Sequence, residues 1–230
     1  MTDPRPILAS DMNAERRREA TVMDAFEAIK TRKTIRDFDG RKVDDAVRDR
    51  IIEAGMAAPS NDHMRKWEFV VVDDRAARLR IIRSIASDIT GEAARKRMEE
   101  SGLTDDDQRE MYIDAIPKQR SMLLDAGLLI VPCYYEPGKL LTPSDLSSLN
   151  YFASIWCSIE NMLIEASSEN VYGVTRIPSE RDRVAMRSEL RIPDEYEIPC
   201  VLALGYPEAD ARRTKQKAFS VADRIHTDRW

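Results

Sequence analysis

The chain is poor in the residues that build several common kinds of site. It has eight glycines in 230 residues, and no two lie close enough to form GxGxxG or a Walker loop. A nucleotide held on a glycine-rich turn is therefore disfavoured. Only two histidines occur, His63 and His226, far apart and outside any HExxH or triad-like pattern, which argues against zinc hydrolysis. GxSxG is absent, so a hydrolase elbow is not expected. The three cysteines, Cys133, Cys157 and Cys200, form no CxxC or Cys/His spacing. Each lies in an apolar stretch, and we expect three buried, reduced thiols and no metal site. No apolar run approaches the roughly 20 residues that cross a bilayer. Met1 to Arg18 mixes Pro, Asp and Arg without an apolar core, so no secretory signal is expected. These absences suit a cytoplasmic location.

What is present is core material inside a very polar surface: 43% hydrophobic and 33% charged residues. The net charge of -5 gives no footprint for nucleic acid or an anionic membrane. The length fits one domain, read as a polar N-terminal arm over 1–22 followed by a domain over 23–230. Met23, Phe26 and Ile29 recur at helical spacing. Asp44 or Asp45 caps a second helix with a stripe of Val47, Ile51, Ala54 and Ala58, stopped by Pro59. Trp67 to Val72 reads as a strand, and Leu79, Ile82, Ile85, Ala86 and Ile89 as the inward face of a helix.

Residues 91–121 are highly charged, partly helical, interrupted at Gly102, and have the character of a cover. Leu128 to Tyr135 is a strand that Pro132 places at an edge or interrupts with a bulge. Tyr151 to Glu169 is the clearest helix, either a buried core helix or a dimer interface. Short strands follow over 171–177 and 198–206, separated by a helix that Ser179 caps. Helices and strands without regular βαβ alternation indicate an α+β fold: a central sheet with flanking helices.

The chemically suggestive clusters are cationic. Arg32, Lys33 and Arg36, interleaved with Thr34, follow the first helix, and Arg212, Arg213, Lys215 and Lys217 lie in the tail. A phosphomonoester wants such cations plus a hydroxyl or amide, although a solvated surface has the same composition.

Several segments, taken in order, resemble the nitroreductase family. Arg32-Lys33-Thr34-Ile35-Arg36-Asp37-Phe38 is similar to its opening motif. Ala57 to Phe69, containing Pro59, Ser60, Asn61 and His63, is similar to its A-P-S-x-x-N-x-Q-P-W-x-F segment. Ile159 to Ala166 matches its long dimer-core helix, Tyr172-Gly173-Val174-Thr175 the turn after it, and Leu204-Gly205-Tyr206-Pro207 its closing strand.

The resemblance implies a nitroreductase-like mixed sheet in a homodimer with FMN at the interface. NAD(P)H would reduce the flavin and leave, and an electron-poor small-molecule acceptor would take the electrons, by a ping-pong route needing no catalytic side chain. Arg32, Lys33 and Thr34 would hold the FMN phosphate and ribityl chain, with Arg36 contributing and Lys215 or Lys217 closing from the tail. Pro59, Ser60, Asn61 and His63 would border the flavin. Backbone amides near Thr175, Arg176 and Ile177 would meet N5. His63, Arg65 and Lys66 depart from the family's Asn, Gln and Pro, and would favour an anionic acceptor. A His here also occurs in the iodotyrosine-deiodinase-like branch, so reductive dehalogenation is an alternative, as is a flavin-binding protein with little general reductase activity.

Overall fold

The computed structural model describes residues 23–86, 89–137 and 141–230. The arm expected over 1–22 lies outside the described residues. In chain order the elements are α1 (Ala25–Thr31), α2 (Asp45–Met56), β1 (Trp67–Val71), α3 (Arg75–Ile81), α4 (Gly91–Glu100), α5 (Asp106–Ala115) and α6 (Ser121–Leu124). Then come β2 (Leu128–Tyr135), α7 (Asn150–Ser168), β3 (Tyr172–Arg176), α8 (Glu180–Leu190), β4 (Tyr196–Glu197) and β5 (Val201–Gly205). The sheet runs β1-β2-β5-β3, with β4 also on β2. The strand pairings are antiparallel, and a parallel element enters through the bridge of Thr34 to Gly173.

Strict alternation along the central strands explains why β2 and β5 are apolar throughout. Leu128 and Ile130 of β2, with Leu202 and Leu204 of β5, pack against Val47 and Ile51 of α2 and Met162 and Ala166 of α7. Leu129, Val131 and Cys133, with Val201 and Ala203, face the opposite way, onto Ile81, Met122, Leu123 and Met186. A strand buried on both faces loses the polar alternation of a half-exposed one.

Pro132 does not mark an edge, because β2 is central. Tyr135 donates to Lys66 O and Val72 to Leu129 O, which brackets the β1–β2 ladder. Bond pairs alternate along an antiparallel ladder, so Pro132, opposite Phe69, has its nitrogen directed away from β1. On that other side the register slips by one residue. Ile130 faces Leu202, but Tyr134 faces Glu197 where unbroken pairing would bring Ile198. The bulge is the second of the two sequence expectations, and the missing N–H sits where the ladder is already interrupted.

The expected helix over 79–89 ends at Ile81; Ile82 and Ile85 are buried as expected, beyond the helix, but Leu79 and Ala86 do not face inward. Leu79 is exposed while Arg78 is buried. Arg78 reaches past the helix to three carbonyls: Nε donates to Val72 O at 2.7 Å, and Nη1 to Leu124 O at 3.2 Å and Ala126 O at 2.6 Å. These acceptors lie at the end of β1 and in the turn before β2, where the sheet gives them no partner, so a fixed guanidinium fork there outweighs burial of one leucine.

The cysteines also divide. Cys133 and Cys200 are buried, and burial pushes both thiols up to about 12, so they are inert. Cys157 is exposed on α7, against the expectation of three buried thiols.

Candidate functional site

Three segments expected to contact a flavin are brought together around β3 and α7. The first leaves α1. Arg32 caps that helix with its backbone N–H on Ala28 O, and the chain becomes extended. Ile35 N–H donates to Gly173 O at 3.2 Å, laying residues 34–36 beside the start of β3. Gly173 is required here: a Cβ would lie 2.4 Å from Ala203 O. Thr175 and Arg176 are thus strand neighbours of the Arg32–Arg36 segment, and Ile177, past the end of β3, is exposed.

Arg32 Nε reaches Glu160 Oε1 on α7 at 3.2 Å. Lys33 is half-buried and forms no ion pair among the described residues. Arg36 is nearly enclosed, with its side chain 11% exposed, Nη1 3.8 Å from Asp114 Oδ2 and Nη2 3.8 Å from Met111 Sδ. Burial lowers its pKa more than Asp114 and Asp37 raise it. Lys118 bridges Asp37 and Asp114 at 2.6 Å each, so Arg36 stands in a buried charged cluster.

The second segment is the turn after α2. Asn61 N–H donates to Ser154 Oγ on α7 at 2.9 Å. Ser154 and Glu160 are six residues apart on one helix, about 9 Å along its axis at 1.5 Å per residue. Asp62, His63 and Arg65 all have positive φ, of 53°, 55° and 43°. Non-glycine residues rarely adopt this region, and such strain concentrates at binding sites. Pro59 and His63 are exposed, Ser60 and Asn61 half-buried. Ser60 Oγ accepts from Arg65 N–H at 3.1 Å and helps fix the turn. Arg65 Nε turns back to Met56 O at 2.9 Å, and Lys66 lies over the Tyr135 ring at 4.4 Å. Two of the three side chains expected to face an acceptor, Arg65 and Lys66, are therefore engaged within the chain, and His63 is exposed.

The third segment is the end of β3. Arg176 donates from Nε to Gln119 Oε1 at 3.2 Å and from Nη2 to Asp182 Oδ2 at 2.9 Å. Asp182 also accepts from Ser84 and completes a reciprocal capping box with Ser179. Burial alone would raise the Asp182 carboxyl, but the hydrogen bonds from Ser84, Arg176 and Ser179 outweigh it and hold its pKa below the usual carboxylate range. A depressed folded pKa adds stability above the unfolded value of about 3.9, and that stability is lost as pH falls through the folded value. Asp182→Asn should therefore cost about 1–3 kcal/mol at neutral pH and flatten the loss of stability below about pH 5. Urea unfolding of both proteins at several acid pH values checks this; parallel pH profiles would contradict it.

Sequence reasoning did not single out Glu160, Ser154, Asp114, Gln119 or Asp182, which orient the expected residues. Asp182 alone left a local signal, three positions after Ser179. The tail lysines stand elsewhere. Lys215 Nζ is 3.1 Å from Asp107, and Lys217 contacts Asp105, both at the start of α5. They join the Arg36 cluster only through that helix, and Arg32 and Lys33 stand apart from them.

A flavin phosphate, ribityl chain and ring carbonyls are rich in acceptors. Arg36 Nε and Arg176 Nη1 are buried donors with no hydrogen-bond partner among the described residues. Such groups are rare unless something supplies an acceptor, so the donor set fits an acceptor-rich ligand. Two surface depressions, of about 340 and 270 Å³, lie elsewhere, lined respectively by residues around Arg78 and by residues around Tyr151.

Residues 29–206 match the family described as the nitroreductase family. The chain belongs to the nitroreductase family. It is an oxidoreductase. A Methanothermobacter thermautotrophicus protein named "Putative NADH dehydrogenase/NAD(P)H nitroreductase" is 30% identical over 219 residues, covering 90% of this nitroreductase-family chain and 88% of the relative. A crystal structure of the same name from Bacteroides thetaiotaomicron shares the fold at TM-score 0.65 and 23% identity, over 91% of this chain and all of that one. Oxidized iodotyrosine deiodinase, bound to FMN and 3-iodo-L-tyrosine, shares it at TM-score 0.67 and 16% identity, over 90% of this chain and all of that one. No helix among the described residues is long and apolar enough to cross a membrane.

Proposed function

We propose that this nitroreductase-family chain is an FMN-dependent oxidoreductase that carries electrons from NAD(P)H to an electron-poor small molecule such as a nitro compound or quinone. The observation that carries the reading is a pair of buried guanidinium nitrogens, Arg36 Nε and Arg176 Nη1, without a hydrogen-bond partner among the described residues, the first just past the bridge of Thr34 to Gly173 and the second at the end of β3. Bound FMN supplies the redox chemistry, and the protein binds, positions and tunes it. Arg32, Lys33 and Thr34 hold the phosphate and ribityl chain, with Lys33 the cation without a carboxylate partner. Arg36 places a positive charge that is largely shielded from water, where it stabilises negative charge on a ligand more than it would in water. The turn over 60–65 is pinned to α7 by the chain's own bond from Asn61 N–H to Ser154 Oγ, and a turn fixed by its own contacts leaves little ordering to be done on binding.

We extend the proposal to a homodimer. The main stripe of α7, Ile155, Ile159, Met162 and Ala166, is covered within the chain by α2 and the sheet. Half-exposed Phe152, Trp156, Leu163 and Ile164 remain on the same helix as surface for a second copy.

The test is anaerobic mixing of flavin-loaded protein with NADH or NADPH. The visible flavin absorbance should bleach before any acceptor is added, then return on addition of a nitro compound or quinone. Recovery with 3-iodotyrosine alone would support the dehalogenating reading. Absorbance that ignores both nicotinamides would leave a flavin binder and overturn the reductase.

A further inference from the structure

The cations of the site differ in their counter-charges. Arg32 pairs with half-exposed Glu160 and Lys33 with no carboxylate among the described residues, whereas Arg36 and Arg176 have enclosed partners in Asp114 and Asp182. Arg36 lies two residues past the bridge of Thr34 to Gly173, and Arg176 three past it, at the end of β3. One segment serves both: Met111 and Asp114 touch Arg36, and Gln119 accepts from Arg176. Two nitrogens of Arg176 are held by groups that are themselves held. Gln119, which accepts from Nε, has its amide oriented by its own bond from Nε2 to Ala115 O at 3.0 Å. Asp182, which accepts from Nη2, also accepts from Ser84 and from Ser179 N–H. A guanidinium is a planar fork of fixed geometry, so the remaining nitrogen, Nη1, is aimed. It is buried and has no hydrogen-bond partner among the described residues.

We infer that Arg176 and Asp182 form an enclosed charge pair that sets the redox balance of the bound flavin: Arg176 Nη1 donates to the isoalloxazine ring, and Asp182, with Gln119, aims that donor and offsets its charge. The inference rests on the FMN reading above and assigns one donor within it. Charge separates ring from phosphate. The side chains of Arg176 and Asp182 are 13% and 4% exposed, and their charges cancel. Such a pair suits the neutral acceptors of a ring better than a phosphate carrying nearly two negative charges. Half-buried Lys33, which has no ion pair among the described residues, keeps its charge for the phosphate. Hydride transfer from NAD(P)H brings two electrons and one proton, releases NAD(P)+ and leaves one negative charge on the ring. Charges shielded from water act strongly on that difference. The Arg176 cation favours the reduced ring, and the Asp182 carboxylate opposes it. Asp182 and Gln119 are therefore positioning residues, and Arg176 is the group that touches the cofactor.

The experiment reads the two-electron midpoint potential of FMN-loaded protein by reductive titration, and the affinity of apo-protein for riboflavin, which carries the ring without the phosphate. R176M should lower the potential and D182N should raise it, each by about 30 mV, a tenfold change in the preference for the reduced ring. R176M should also bind riboflavin about tenfold more weakly than the parent, for the loss of one charged donor. R183M, on the same helix as Asp182 but paired to Glu180 and Glu197, should change neither quantity. The opposite signs are the signature, because a general loosening of the fold would move both variants the same way. Should D182N fail to fold, R176M set against R176K decides: the lysine keeps the charge and should hold the potential near the parent's, and the methionine should not. Shifts of the same sign, no shift in R176M, equal shifts in R176M and R176K, or an equal shift in R183M would overturn the inference and leave Arg176 and Asp182 as a structural tie between β3 and α8. If the parent takes up neither flavin, the FMN reading itself fails and takes this inference with it.

Discussion

Replacing Arg78 with methionine should destabilise the fold by about 3–5 kcal/mol, since hydrogen bonds from a charged donor are worth about 1.5–3 kcal/mol each and do not add fully. The loss is large because the acceptors stay behind. Val72 O and Ala126 O accept from this side chain, Leu124 O accepts from it and from Arg75 Nη1 at 3.3 Å, and methionine offers none of them a donor. Apolar volume is roughly conserved, so the cost isolates the unpaired carbonyls from any cavity. For a chain of this size each kcal/mol lowers Tm by roughly 2–4 °C, so a fall of about 6–20 °C is expected by thermal unfolding. Arg78→Lys should recover only part of it, because an ammonium cannot reproduce the fork. A change within about 0.5 kcal/mol for methionine, the range of an ordinary surface substitution, would show that the carbonyls are satisfied by water.

Arg32→Ala should weaken FMN binding by roughly ten- to a hundredfold, the equivalent of one lost charge-assisted contact of about 1.5–3 kcal/mol. Arg32 is a sharp probe because its own partner in the chain, Glu160, is half exposed and contributes little to folding. Its backbone caps α1 through Ala28 O, a bond that alanine retains. Arg213→Ala, in the exposed tail, should change affinity little. Titration of both apo-proteins reads the difference. Equal, small losses would mean that the Arg32 cluster is ordinary solvated surface.

Much of this architecture is legible in the sequence, for identifiable reasons. The helix over 150–168 announces itself because Ile155, Ile159, Met162 and Ala166 repeat at helical spacing and are the residues that become buried. The site segments carry recognisable motifs in order, and the fold sets Arg32–Arg36 beside β3 and the 59–63 turn against α7.

What failed was local inference about polar groups whose partners are distant in sequence. Leu79 was expected inside because periodicity counts apolar residues; no periodicity shows that carbonyls 46 and 48 residues away need Arg78. Pro132 left an edge and a bulge equally open, because the one-residue slip between β4 and β5 that decides for the bulge is a property of the sheet. Cys157 lies in an apolar stretch yet faces outward, since α7 spends its buried stripe on α2 and the sheet. Asp114 and Gln119, which orient Arg36 and Arg176, come from a stretch whose charge density resembles a solvated cover.

The central claim is that these cations and buried donors hold FMN. The most direct measurement is to purify the protein, denature it, and identify any released flavin by chromatography and mass. The account predicts FMN, non-covalently bound and close to one per chain, or taken up by apo-protein on reconstitution. FAD in its place, or no flavin after reconstitution, would contradict it.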